Sequence, residues 1–116
     1  AYPNSNVDIF IGIGGAPEGV LAAAALHCLG GQMQAKLIFK TPHEKQRAET
    51  LGINNFDKIY NINDMIKGDV IFSATGVTSG DLLKGIHVSG NEFLSETLIL
   101  HKSSKTNTVV KNKSLK

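Results

Sequence analysis

The chain has 116 residues, 41% of them apolar and 19% charged, which is the balance of a soluble globular domain. No apolar run approaches the roughly 20 residues that cross a bilayer, so a membrane partner is not expected. The net charge of +2 divides unevenly: residues 1–101 hold seven basic and ten acidic residues, a net of −3, whereas residues 102–116 hold five lysines and no acid, a net of +5.

The chain opens on Ala-Tyr-Pro rather than Met and shows no secretory signal, which points to a processed or partial chain. Residues 7–13 are nearly all apolar, as in a strand covered on both faces. A glycine turn follows at Gly14-Gly15, and a helix begins near Pro17 and runs to about Leu29. Proline suits the first helical turn, where no amide hydrogen is required. The helix carries a broad apolar surface (Val20, Leu21, Ala24, Leu26, Cys28, Leu29) and is expected to be largely buried. Gly30-Gly31 stops it. Residues 35–39 form a second strand.

Thr41-Pro42-His43-Glu44 reads as a capping box, with the Thr41 hydroxyl accepting from the Glu44 amide and the Glu44 side chain reaching back to Thr41. The helix it opens ends near Leu51-Gly52 and has a charged, exposed face. Residues 58–62 form a short strand, and Asn63 caps one helical turn. Residues 69–76 form another buried strand that runs into a small-residue turn, followed by a second glycine-bearing loop around Thr78 to Gly85. Residues 86–88 and 96–101, separated by a Ser89-Gly90-Asn91 turn, form late, partly antiparallel strands. Strands alternating with helices imply an α/β sheet. The domain is assigned to residues 1–101. The tail, 102–116, is sparse in apolar residues and reads as a disordered, solvating end. Lysine-rich ends also suit anionic partners, but the body has no basic patch interleaved with aromatics, so no nucleic-acid partner is expected.

The glycine turn carries the chemistry. Amides at a helix start attract anions such as phosphate. Gly12-Ile-Gly14-Gly15-Ala16-Pro17 puts proline where a dinucleotide fingerprint needs its third glycine, and the next strand ends in Phe39-Lys40 rather than in an acid. The Walker Gly-Lys-Ser/Thr sequence is absent. On spacing alone, a ligand-free tight turn and a phosphoester site stand level. Glu18, inside the turn, fits two roles: an acid that complements the helix dipole, or an oxygen ligand for Mg²⁺ or Mn²⁺. Asp81 reads first as a turn or cap residue, and Ser73, Thr75 and Thr78 as ordinary turn residues able to donate to an anion. His27 and Cys28 read as helix-face and core residues, in no zinc spacing. Cys28 is the lone cysteine, so no internal disulfide forms, which fits a reducing compartment. No Gly-x-Ser-x-Gly elbow exists.

Two long blocks and one short one carry a family resemblance. They are Asp8-Ile-Phe-Ile-Gly-Ile-Gly-Gly-Ala-Pro-Glu-Gly-Val20 with Leu29-Gly-Gly-Gln-Met33, then Asp69-Val-Ile-Phe-Ser-Ala-Thr-Gly-Val-Thr-Ser-Gly-Asp-Leu-Leu-Lys-Gly-Ile86, then Glu96-Thr-Leu-Ile-Leu100. Over residues 6–102 the chain resembles the class II fructose-1,6-bisphosphatases. The resemblance implies the layered α/β sandwich of the lithium-sensitive sugar and inositol phosphatases, with only its C-terminal part present. It implies hydrolysis of the 1-phosphate of fructose 1,6-bisphosphate, and in some bacteria of sedoheptulose bisphosphate, with Mn²⁺ or Mg²⁺ in the cytoplasm. It puts substrate contact on Gly15 and metal ligation on Glu18.

The connection over residues 40–53 is shorter than is usual in that family, and its Asp-Pro-x-Glu-Gly-Thr motif, which belongs to a larger N-terminal portion, is absent. The resemblance therefore implies a C-terminal third that needs the missing N-terminal portion as its partner and is inactive alone. A homo-oligomer is left open. The competing readings are a truncated, non-catalytic remnant or interaction module and, more remotely, an NADP-binding module using Lys40.

Overall fold

The computed structural model describes residues 6–115. The Ala-Tyr-Pro start and Lys116 lie outside them. The architecture of the described residues is α/β, built from two antiparallel sheets and three helices.

Helix α1, Ala16–Leu29, ends as its glycines dictate. Gly30 takes a left-handed φ of 75°, open to a residue without a side chain, and its amide and that of Gly31 close on the carbonyls of His27 and Leu26. Strand β1, Gln34–Lys36, pairs antiparallel with β2, Ile59–Asn61, with Ala35 opposite Tyr60.

Between them lies α2, Pro42–Thr50, capped by the Thr41 hydroxyl, which accepts from the Glu44 amide at 3.3 Å. The Glu44 carboxylate reaches one residue further back than the capping box predicts, accepting from the Lys40 amide at 2.6 Å. Helix α3, Ile62–Met65, is capped by Asn61 and not by Asn63. Asn61 and Asp64, three residues apart, exchange reciprocal side-chain bonds with each other's amides at 3.1 and 2.9 Å.

The second sheet is built on β5, Glu92–His101. Strand β3, Ile71–Thr75, pairs with its second half, and β4, His87–Ser89, with its first three residues. On its other edge β6, Thr106–Leu115, pairs with all ten residues. This strand replaces the disordered tail that composition predicts. A ladder is made of backbone hydrogen bonds and needs few apolar side chains. Here Lys111 stands directly opposite Glu96, and Lys113 reaches Glu92 at 3.5 Å.

The core is small. Leu98 and Leu100 on β5 are 2% and 1% exposed and pack with Leu83, Phe72 and, from α1, Ala25, Cys28 and Leu29. The Cys28 thiol donates to the Val70 carbonyl. Only the C-terminal half of α1 is covered in this way. Val20 and Leu21 are exposed, so the helix is less buried than its apolar surface predicts. Strand β3 alternates, with Phe72 and Ala74 turned inward and Ile71, Ser73 and Thr75 exposed. The strand predicted over residues 7–13 pairs with nothing among the described residues, and its apolar side chains lie open. A strand apolar on both faces forms only where neighbouring strands and covering layers exist.

Candidate functional site

Gly15 is the residue that caps α1, with φ −67° and ψ 151°. Ala16, Pro17 and Glu18 make the first turn. Gly19 is the first residue whose amide finds a helical acceptor, the Gly15 carbonyl at 3.0 Å. Pro17 has no amide hydrogen, so the amides of Gly15, Ala16 and Glu18 are left at the positive end of the helix dipole.

The glycine at position 15 is not there for its dihedral angles, which any residue adopts. The absent Cβ leaves room that the Glu18 side chain uses. A methyl group built there would run into the Glu18 carboxylate. The acid therefore folds back over the N-terminal face of the helix, against the cap. The cap receives no side-chain hydrogen bond, and Glu18 makes no hydrogen bond or ion pair among the described residues. A Cβ at Gly14 would meet open space.

The result is a set of free amides beside one free, exposed carboxylate. An anion fits the amides, and a hard divalent cation fits the carboxylate oxygen. Glu18 is at most one ligand of such an ion, because among the described residues no group of three or more His, Cys, Asp or Glu side chains converges. Two hollows, about 320 Å³ on α2 beside His43 and about 650 Å³ between the second glycine loop and β6, do not include Gly15 or Glu18.

The other residues singled out from sequence are used structurally or lie apart. The Thr75 hydroxyl pairs across the strands with Thr97 at 2.9 Å. Ser73, Thr78 and Asp81 are exposed and make no side-chain hydrogen bond among the described residues. The second loop is closed by its own backbone. Gly76 and Gly85 lie so close to the main chain of Lys84 and of Thr78-Ser79 that neither admits a Cβ. The Lys84 amide donates to Glu96 at 2.9 Å. His27 and Cys28 are half-buried on α1, Cys28 against the core, as predicted.

One cluster escapes the sequence pattern. His101 Nε2 lies 2.8 Å from Asp69, and its Nδ1 lies 2.7 Å from the Ser104 hydroxyl. The Ser103 hydroxyl and amide both donate to Asp69, at 2.6 and 3.1 Å. Ser103 and then His101 hold the Asp69 carboxyl down at about 2. These residues clasp the start of β3 to the β5–β6 turn. The pairing depends on strand register, with His101 opposite Ile71, and spacing along the chain gives no sign of it.

The family model for bacterial, glpX-encoded fructose-1,6-bisphosphatases matches residues 1–114, and so takes in β6 as well as the body. The chain is 42% identical over 118 aligned residues to the fructose-1,6-bisphosphatase class 2 of Haemophilus influenzae and 41% identical to fructose-1,6-bisphosphatase 1 class 2 of Escherichia coli K12. In both cases the alignment covers 90% of this chain and 35% of the relative, so the chain spans about a third of their length. With the glycine turn, its adjoining acid and the late antiparallel strands all inside the matched region, the chain belongs to the family of bacterial, glpX-encoded fructose-1,6-bisphosphatases.

Proposed function

We propose that this chain is the C-terminal portion of a metal-dependent phosphatase that hydrolyses fructose 1,6-bisphosphate to fructose 6-phosphate, and that it supplies part of the active site and not the whole. The observation that carries the reading is the contact between Gly15 and Glu18 at the open end of α1. Family membership adds the substrate, since the relatives are named for fructose 1,6-bisphosphate.

In this reading the amides around Gly15 hold a phosphate or sugar oxygen of the substrate. The positive end of α1 lowers the energy of that anion. Glu18 gives one carboxylate oxygen to Mn²⁺ or Mg²⁺, and the rest of the polypeptide provides the remaining ligands. The bound ion would polarise the phosphate ester and offset charge that develops on it. The free state of Glu18 and its position beside the phosphate-binding amides support this division of roles. The layered fold of the lithium-sensitive phosphatases and a bacterial cytoplasmic setting belong to the same proposal, as does activity on sedoheptulose 1,7-bisphosphate.

The test is phosphate release from fructose 1,6-bisphosphate by the purified chain in Mn²⁺ or Mg²⁺. The chain alone is expected to give none. Metal-dependent turnover by the isolated chain would overturn the division of the site, and its absence after assembly with the rest of a class 2 enzyme would overturn the catalytic reading.

A further inference from the structure

We propose that the hollow between the second glycine loop and β6 is a binding site for a small phosphorylated molecule, separate from the Gly15–Glu18 turn, whose residues it does not include.

Strand register builds the hollow. Leu94 on β5 lies opposite His87 on β4 and opposite Lys113 on β6, and Glu96, two residues on, lies opposite Lys111. Cross-strand partners share a face and side chains alternate along a strand, so these five side chains stand on one face of the sheet. It is the face that Leu98 and Leu100 bury in the core. Past Leu98 the core gives out, and the second loop supplies the remaining wall with Ser79, Lys84 and Gly85. The loop is held by its own backbone: the Gly80 amide donates to the Leu83 carbonyl and the Ile86 amide to the Val77 carbonyl, both at 3.0 Å. The hollow encloses about 650 Å³, the size of sites that take a metabolite or cofactor.

Its charge selects an anion. Residues 1–101 sum to −3, yet three lysines, Lys84, Lys111 and Lys113, converge here. One carboxylate lines the hollow with them, and it is already engaged. Glu96 is 17% exposed; one of its oxygens accepts from the Lys84 amide at 2.9 Å and the other lies 4.0 Å from Lys111 Nζ. Lys113 is held loosely, 3.5 Å from Glu92, with its side chain 70% exposed. The Lys84 ammonium and the His87 ring have no hydrogen-bond or ion-pair partner among the described residues. The Ser79 hydroxyl accepts from the Gly85 amide at 3.0 Å, which leaves its own proton to donate.

Ammonium groups and a hydroxyl around an apolar floor fit a compact dianion on an organic body. A phosphomonoester carries that charge at neutral pH, and lysine meets phosphate as a point charge. Nucleic acid is a poor occupant, because no Phe, Tyr or Trp lines the hollow to stack on a base. Composition hides the site: Lys111 and Lys113 belong to the stretch that reads as a disordered end, and β6 is what brings them to Lys84.

The experiment is a titration of the isotope-labelled chain with glucose 6-phosphate in metal-free buffer, followed by amide NMR shifts, with glucose as the uncharged comparison. The amides of Lys84, Gly85, His87, Lys111 and Lys113 are expected to shift and saturate with glucose 6-phosphate and to stay still with glucose. Lys84→Gln/Lys113→Gln is expected to bind about tenfold more weakly, as when two exposed ion pairs are lost. Lys40→Gln/Lys67→Gln, which removes the same charge outside the hollow, is expected to bind as the unaltered chain does. Unchanged β5 resonances report that each variant is folded. Equal weakening by the two pairs, equal shifts with glucose, or no saturable shift at the hollow would overturn the proposal. Shifts confined to residues 15–18 would overturn it too, and would leave the catalytic reading of that turn standing.

Discussion

The carboxylate of Glu18 occupies the space that a Cβ on Gly15 would need. The two groups are neighbours at the open end of α1, and a side chain at position 15 would displace the flexible carboxylate rather than the backbone. Gly15→Ala tests this separately from backbone strain, because φ −67° suits alanine. Alanine is a poorer cap than glycine, but it also restricts the unfolded chain, and these effects nearly cancel, leaving stability within about 1 kcal/mol. Metal affinity of the assembled enzyme is expected to fall about tenfold, as when a ligand's support is disturbed. Calorimetric titration with Mn²⁺ alongside urea unfolding reads both.

The Asp69 clasp predicts an acid limb of stability. Its carboxyl is held at about 2, below the ordinary 3.8, first by Ser103 and then by His101. A carboxyl lowered in the folded state stabilises fully above its unfolded value, and that contribution is lost as pH falls from 3.8 towards about 2. Asp57 and Asp64 are lowered as well, by Lys36 and by the Asn61 amide with Lys58, so they add to the same limb. Urea midpoints measured across this range should fall with pH, and less steeply in Asp69→Asn.

Leu100 is the most enclosed large side chain described. Leu100→Ala should cost about 2–5 kcal/mol, the range for core leucines. In so small a core that is a large share of the total, so the urea midpoint of the isolated chain is expected to collapse. Ile38→Ala, at an exposed site, should leave it nearly unchanged.

Thr41→Ala removes the hydroxyl that accepts from the Glu44 amide. A loss of about 1 kcal/mol is expected, most of it recovered in Thr41→Ser. Hydrogen exchange of the first-turn amides of α2 localises the effect.

The helices were legible because their ends are written in local chemistry. Pro17 and Gly30 bound α1, and Thr41 with Glu44 opens α2. Asn63 was the expected cap of α3, but only Asn61 has an acid three residues on, Asp64, to complete the reciprocal pair. Residues 7–13 have the composition of an interior strand, but a strand exists only with its neighbours, and none lies among the described residues. The opposite error occurs at residues 106–115, where lysines and few apolar residues suggest disorder, yet β5 offers ten residues of backbone to pair with. In the site, the nearness of Gly15 and Glu18 was readable because they lie within one helical turn. The Asp69–His101 clasp was not, because it joins residues 32 apart through strand register.

The most direct measurement is Mn²⁺ affinity and turnover of fructose 1,6-bisphosphate by a single polypeptide in which this chain replaces the matched segment of the E. coli relative, compared with its Glu18→Gln form. Both should drop by more than the roughly 100-fold that a metal's outer-shell partners are worth. Unchanged affinity and turnover would contradict the assignment of that carboxylate to the ion.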